Sequence, residues 1–398
     1  MNEVFALINK TYRCENNLNI NPTAYFYDLG RIKHNIDCIK KNAPDNLKLF
    51  YAMKANKFSS VMAAATKYVD GVEIASNGEL DIALKYVKNN NIIFTGPGKT
   101  KFELTNAIEK KIKYINVESL TELVRINNIA REKNIGEVEV LLRINLNYCI
   151  NDSDEKMSGI SSKMGIDENE IIDSIEYAKT LERISIRGIH VFAASGVMDY
   201  DKLIKSNLYI FDLVKKIENY CEVNVIDLGG GFGIDYSDNN RKFDVENYFK
   251  ELKKYIKKYN FEDKTLILEL GTYIVGDAGY YTSEIIDIKE IKGKKQIILA
   301  GGVNHSGLQL EMKRQHPVHI IAMNKEKEYE HSKCVNEEIA DISGPLCMVS
   351  DKLSWDKYIS HAEIGDIVVM LNSGAYCFDE GMHDFLSHQL PKIYLIKE

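Results

Sequence analysis

Lys54, His190 and Glu269 each close a short apolar run, and each is a residue type that takes part in making and breaking bonds. Lys54 follows Tyr51–Ala52–Met53 and precedes Ala55–Asn56. An ammonium on so apolar a segment is poorly solvated, which favours the neutral, nucleophilic amine. Read alone, the same lysine suits a rim position, with its stem on apolar surface and its head in water. The run Gly229–Gly230–Gly231–Phe232–Gly233 also has two readings. Its third glycine comes too early for a dinucleotide fingerprint, so it serves either as a closely packed turn or as a cradle whose backbone N–H groups hold an anion. His190 and Glu269, taken singly, suit a satisfied core histidine and a rim ion pair.

Taken together, a nucleophilic amine, an anion cradle, an imidazole and a buried carboxylate are the groups that pyridoxal 5'-phosphate needs around it. Lys54 would carry the aldehyde carbon, Glu269 would keep the pyridine nitrogen protonated so that the ring accepts an electron pair, and His190 would lie against the ring face.

Such residues converge only if the chain brings its strand ends together, and the hydrophobic pattern predicts that it does. Apolar runs at Leu47–Met53, Gly71–Ala75, Ile92–Thr95, Tyr114–Val117, Val138–Ile144, Ser185–Phe192, Val223–Leu228 and Leu266–Leu270 read as eight strands. Segments with apolar residues three and four apart lie between them: Ser59–Tyr68, Gly78–Val87, Phe102–Lys110, Leu120–Lys133, Glu168–Leu181, Tyr200–Asn219 and Asp244–Tyr259. Ser76 before Glu79, Thr100 before Glu103 and Asp167 before Glu170 mark helix starts. Strict alternation implies parallel pairing, and eight units in roughly 225 residues suit a closed (β/α)8 TIM barrel better than the runner-up, an open doubly wound sheet. In such a barrel the chemistry collects at the C-terminal strand ends, where Lys54, Glu73, Ser76, Gly96–Pro97–Gly98, Arg143, His190, the glycine run and Glu269 all fall. After Tyr281 the pattern changes to strands alone, at Glu284–Ile291, Gln296–Leu299, His316–Met323, Ile367–Leu371 and Lys392–Ile396. The expected organisation is an N-terminal segment at 1–45 packing with the β-domain, a barrel at 46–280 and a β-rich domain at 281–398. The strand candidate Ala24–Tyr27 lies in the first of these.

Composition narrows the function classes. Hydrophobic residues make up 45% and charged residues 27% of 398, an ordinary globular balance that excludes extensive disorder and small disulfide scaffolds. Fifty-one Lys and Arg against 58 Asp and Glu, interspersed, leave no basic face for nucleic acid. Apolar runs such as Glu137 to Asn145 fall short of the ~20 residues a membrane helix needs, and Met1–Asn9 lacks a signal pattern, so a cytoplasmic location is expected. Seven scattered Cys without a CxxC pair fit reduced thiols, and no metal site is expected.

At these residues the chain resembles the fold-type III pyridoxal-phosphate decarboxylases, the family of ornithine, arginine and diaminopimelate decarboxylases, whose barrel is of the alanine-racemase kind. The resemblance rests on Tyr51–Asn56, Glu73–Glu79, His190–Val191, Gly229–Gly233, Glu269–Leu270–Gly271, Gly344–Pro345–Leu346–Cys347 and Asn372–Ser373–Gly374–Ala375–Tyr376, in family order along almost the whole chain. It implies that Lys54 holds the cofactor, Glu73 assists proton movement beside it, Glu269 meets the ring nitrogen and His190 stacks on the ring. Gly230, Gly231 and Tyr376 would hold the phosphate. Cys347, supplied by the second subunit of a homodimer, would reprotonate the α-carbon. By residue type alone, Cys347 suits a small buried hydrophobe and Tyr376 a core aromatic.

Departures from the family pattern narrow the substrate. Thr272 stands where the family carries an arginine, leaving Arg143 and Lys163 as candidate cations for the phosphate. Met348 stands where ornithine and diaminopimelate enzymes carry an acid that reads the distal amine, with Asp351 as a partial substitute. Gly301–Gly302–Val303–Asn304–His305 and Lys313–Arg314–Gln315–His316–Pro317 are similar to a subgroup that decarboxylates larger aminoacyl conjugates, in siderophore assembly or on carrier proteins. Arg314 and His305 would then meet a carboxylate- or phosphate-bearing handle, and a carrier protein is a candidate partner. The same basic residues also suit a solvated loop and a guarded edge strand. The expected activity is α-decarboxylation of an amino acid or aminoacyl conjugate. A racemase on the same barrel, a silent cofactor-binding homologue and a sugar-phosphate enzyme using the barrel alone are the rivals.

Overall fold

The computed structural model describes residues 2–15, 22–151, 153–237, 241–307, 315–323 and 334–396. The chain forms two compact units, one of Lys33–Ile234 and Lys242–Ile274, the other of Met1–Ile32, Asp235–Arg241 and Val275–Glu398. The N-terminal segment is thus divided between them after residue 32.

In the larger unit eight parallel strands follow one another around a ring: Leu47–Ala52, Gly71–Ile74, Ile92–Phe94, Tyr114–Val117, Val138–Asn145, Ile184–His190, Val225–Asp227 and Thr265–Leu270. The eighth pairs with the first, Leu266 opposite Leu47 and Leu270 opposite Tyr51, so the sheet closes and the open-sheet alternative falls. Each strand is covered on both faces, which is why the runs are apolar throughout rather than alternating. Side chains nevertheless alternate in direction. Phe50, Ile93, Tyr114, Leu141, Val225 and Ile267, from six strands, pack into one buried cluster that fills the barrel floor. Two residues further along those strands stand Ala52, Thr95, Asn116, Arg143, Asp227 and Glu269. The barrel is therefore an apolar plug with a polar layer above it.

Gly188 belongs to the floor of the sixth strand, two residues before His190. A Cβ there would overlap the carbonyl of Val225 on the seventh strand. Glycine lets these two strands close up, opposite a register shift between Val140 and Leu141 of the fifth.

Helix starts follow their caps. Thr100 and Glu103 form a reciprocal capping box for Lys101–Glu109, and the Ser76 and Ser119 hydroxyls accept from the Glu79 and Glu122 N–H groups. Asp167 caps a single 3-10 turn, Glu168–Glu170, and the α-helix runs only over Ile171–Ala178, shorter than expected. Two helices of the first 45 residues, Asn2–Glu15 and Leu29–Asn42, were not anticipated.

The second unit is built on an eight-stranded sheet. Its central strand, Gly279–Ile291, pairs with Lys294–Leu299 and Ile367–Met370. Thr23–Asp28 also pairs with it, antiparallel, and with Lys392–Ile396 in parallel. Val4, Ile8 and Tyr12 of the first helix join Phe26 and Val369 in one core cluster. The strands Val335–Ser343 and Lys352–Ala362 were missed from sequence. No helix among the described residues is long and apolar enough to cross a membrane.

Candidate active site

Lys54 sits in a single 3-10 turn, Met53–Ala55, directly after the first barrel strand. Its Nζ donates to both oxygens of Glu73, at 3.0 and 2.9 Å. Glu73 is fully buried, and the lysine is half-buried. The amine is thus held in an ion pair with the carboxylate that the resemblance set beside it, rather than isolated on the apolar segment. The Phe192 ring lies 5.9 Å from Nζ and walls the amine on one side.

Three polar residues converge at the ends of the sixth, seventh and eighth strands. His190 Nε2 lies 3.4 Å from Glu269 Oε2, close but not aligned as a hydrogen bond, and both ring nitrogens lack a hydrogen-bond partner. Asp227 pairs in register with His190, and one ligand atom from each of His190, Asp227 and Glu269 lies within 4.8 Å of the others. Asn116 Nδ2 approaches the second Glu269 oxygen at 3.4 Å and donates to Thr95 at 2.9 Å. Burial alone would push Glu269 up, but the electrostatic pull of the neighbouring His190 and Lys54, with the Asp227 carboxyl beside it, outweighs burial and holds the carboxyl at about 2. Asp227 moves the other way, raised well above the usual carboxylate range by burial and then by the Glu269 charge.

The glycine run threads between these residues. Glu269 N–H donates to the Gly229 carbonyl at 2.8 Å, and a Cβ on Gly230 would overlap the Glu269 carbonyl. Close packing therefore demands glycine here, one of the two readings open from sequence. The N–H groups of Gly230 and Gly231 donate to no described residue, which leaves them available to an anion.

Arg143 belongs to a buried charge network: Nη1 donates to Glu118 Oε1 at 2.7 Å, with both side chains almost inaccessible. Glu118 also accepts the Gly96 and Gly165 N–H groups, at 3.0 and 2.9 Å. Beside it Lys99 pairs with Glu122 at 2.6 Å. Arg143, expected as a free cation for a phosphate, is instead the counter-charge of Glu118. Together they pin the loops after the third and fifth strands. Lys163 is exposed on the latter loop.

The remaining candidates lie in the second unit. Cys347 is exposed on the loop after Val335–Ser343, next to the partly buried Met348. Asp351 is 2% exposed, and its oxygens accept the Val303 and Leu346 N–H groups at 2.8 and 2.7 Å. Expected as a substitute reader of a substrate amine, it instead staples the Cys347 loop to the turn at 302–305. His305 is also buried: Nε2 lies 2.8 Å from the Gln389 carbonyl and Nδ1 3.2 Å from the Tyr281 hydroxyl. Burial pulls it down to about 4, so it brings no positive charge to a carboxylate handle. His316 is likewise inaccessible, 2.8 Å from the Leu371 carbonyl. Tyr376 is partly buried in a tight turn with φ +64°. Arg314 and Lys313 lie outside the described residues. Among the cysteines with described side chains, none is in a disulfide.

The barrel residues fit pyridoxal phosphate: an amine, an ionised buried carboxylate, an imidazole with both nitrogens unpartnered, and two N–H groups with no acceptor. Sequence reasoning missed Asp227, Asn116 and Glu118. The signal was present as an apolar residue followed two places later by a polar one, in Val225–Asp227 and Tyr114–Asn116 just as in Ile267–Glu269.

Known proteins sharpen the assignment. Residues 29–276 match the family model described as pyridoxal-dependent decarboxylase, pyridoxal binding domain. The chain is 35% identical, over 93% of both chains, to 2-[(L-alanin-3-ylcarbamoyl)methyl]-2-hydroxybutanedioate decarboxylase of Staphylococcus aureus. It is 30% identical to L-glutamyl-[BtrI acyl-carrier protein] decarboxylase of Niallia circulans, over 92% of this chain and 87% of that protein. The crystal structure of diaminopimelate decarboxylase from Methanocaldococcus jannaschii in complex with L-lysine superposes with a TM-score of 0.85 at 26% identity, covering 98% of this chain and 89% of that one.

Proposed function

The chain belongs to the pyridoxal-dependent decarboxylases, carboxy-lyases that use pyridoxal phosphate, and from that premise we propose that its substrate is an amino-acid unit attached to a larger acidic or carrier-borne handle. A free dibasic amino acid is the alternative. The observation that carries the choice is Asp351. On the loop where the family reads a distal amine there is Met348, and the carboxylate three residues on, Asp351, is buried with its oxygens given to backbone amides. A second ammonium would lose its hydration there without gaining a partner. The two relatives named for conjugates support the same reading, one acting on an amide-linked hydroxybutanedioate and one on a carrier protein. Siderophore or other secondary-metabolite assembly is the matching context.

The bound cofactor supplies an electron sink for the carbanion that carbon dioxide leaves behind. The chain supplies orientation and proton control. Lys54 would be the attachment point, and Glu73, bound to its amine through both oxygens, would take the ammonium proton. Glu269, held ionised, would keep a proton at the ring nitrogen, His190 would lie along the ring, and Gly230 and Gly231 would receive the phosphate, with Tyr376 as a further candidate. Arg143 contributes by fixing Glu118. Cys347 from a second copy delivers the proton to the α-carbon, which makes a homodimer the working form. Its exposure, and that of Val349 at 92%, on a loop anchored by Asp351 suit a surface that another chain covers. A cytoplasmic location completes the reading.

Carbon dioxide release should be measured over amide conjugates of amino acids with hydroxylated polycarboxylates, carrier-linked glutamate, diaminopimelate, ornithine and lysine. A conjugate is expected to exceed every free dibasic amino acid in kcat/KM by about a hundredfold or more. A higher value for diaminopimelate would overturn the proposal.

A further inference from the structure

Asp227 is buried without exposure at the end of the seventh strand, and the functional reading above gives it no task. Its surroundings are specific. Oδ1 accepts the Gly229 N–H at 2.9 Å, at the head of the glycine run, while Oδ2 finds no conventional partner among the described residues. The Glu269 carboxylate is its neighbour within the 4.8 Å cluster. Two carboxyls this close and this dry do not both ionise. Glu269 has the Lys54 charge and the Asn116 amide on its side, whereas the one donor to Asp227 among the described residues is the Gly229 N–H, so the shared proton resides on Asp227.

We propose that Asp227 is a positioning residue of the cofactor site: a neutral carboxylic acid that accepts the Gly229 N–H through one oxygen and donates its proton to Glu269 through the other. One side chain thereby sets both the carboxylate that meets the ring nitrogen and the loop that meets the phosphate. This inference rests on the reading of Glu269 as the ring-nitrogen partner.

The test is titration of apoprotein with pyridoxal phosphate, followed by absorbance from pH 4 to 9, for wild type, Asp227→Asn, Asp227→Leu and Glu269→Gln. The amide of Asp227→Asn keeps both hydrogen bonds, so its Kd should stay within about threefold of wild type. Asp227→Leu loses both, and its Kd should rise about tenfold to a hundredfold. Without its donor, Glu269 climbs toward the ordinary carboxylate range, so the acid limb of cofactor binding in Asp227→Leu should move to higher pH. A merely structural aspartate would lower the melting temperature of both Asp227 variants and leave that limb in place. Asp227→Asn binding as weakly as Asp227→Leu would overturn the proposal. If Asp227→Leu does not fold, an Asp227→Asn Kd raised tenfold does so alone. Unchanged binding in Glu269→Gln would sink the underlying reading of Glu269; a changed Glu269→Gln beside an unchanged Asp227→Leu would sink only the role of Asp227.

Discussion

Glu73 has no water to turn to if Lys54 is removed, because it is fully buried and both its oxygens are engaged by that one amine. Lys54→Ala should therefore abolish carbon dioxide release and also cost stability, whereas Lys54→Arg should abolish release with less loss of stability; thermal melts beside activity assays distinguish the two effects. Cys347→Ala is expected to leave cofactor binding intact and to divert part of the turnover to an off-path product with the amino group left on the cofactor. An unchanged ratio of carbon dioxide to that product would assign the proton to another group. The residues legible from sequence were those whose neighbours advertise them, such as Lys54 in Tyr51–Asn56. Asp227 lay hidden beside a conspicuous glycine run. Asp351 and His305 were misjudged because sequence shows residue type but not burial, and burial turned a candidate acid into a staple and a candidate cation into a neutral ring.

At the scale of elements, the barrel strands were readable because burial on both faces writes an uninterrupted apolar run. The hairpin of Val335–Ser343 and Lys352–Ala362 was not, since one face is solvated and charged residues dilute the pattern. Helix starts were readable where a cap existed, and Thr100→Ala should cost about 1 kcal/mol by denaturant unfolding. Gly188→Ala should cost about 2–4 kcal/mol, because a methyl group cannot share space with the Val225 carbonyl. His305 links the fold to pH. Its folded value of about 4 lies below the unfolded value near 6.5, so the unfolded chain binds the extra proton between those limits. Its contribution is complete above about pH 6.5 and fades as pH falls toward 4, by at most about 3 kcal/mol. His305→Gln should flatten the fall in melting temperature across that window.

At the scale of the whole molecule, a shared site has an arithmetic signature. Lys54→Ala homodimers should form no product amine and Cys347→Ala homodimers only part of the normal amount, and after subunit exchange half the dimers would be mixed, each adding one intact site to amine formation. Recovery of about a quarter of wild-type activity is expected; no recovery would mean that one chain holds both residues of its own site. The plugged floor of the barrel carries a further consequence. Phe50, Ile93, Tyr114, Leu141, Val225 and Ile267 fill the barrel floor as packed side chains, which directs traffic to the strand-end side. The released amine must leave the way the acid came in, and until it does the next molecule waits outside.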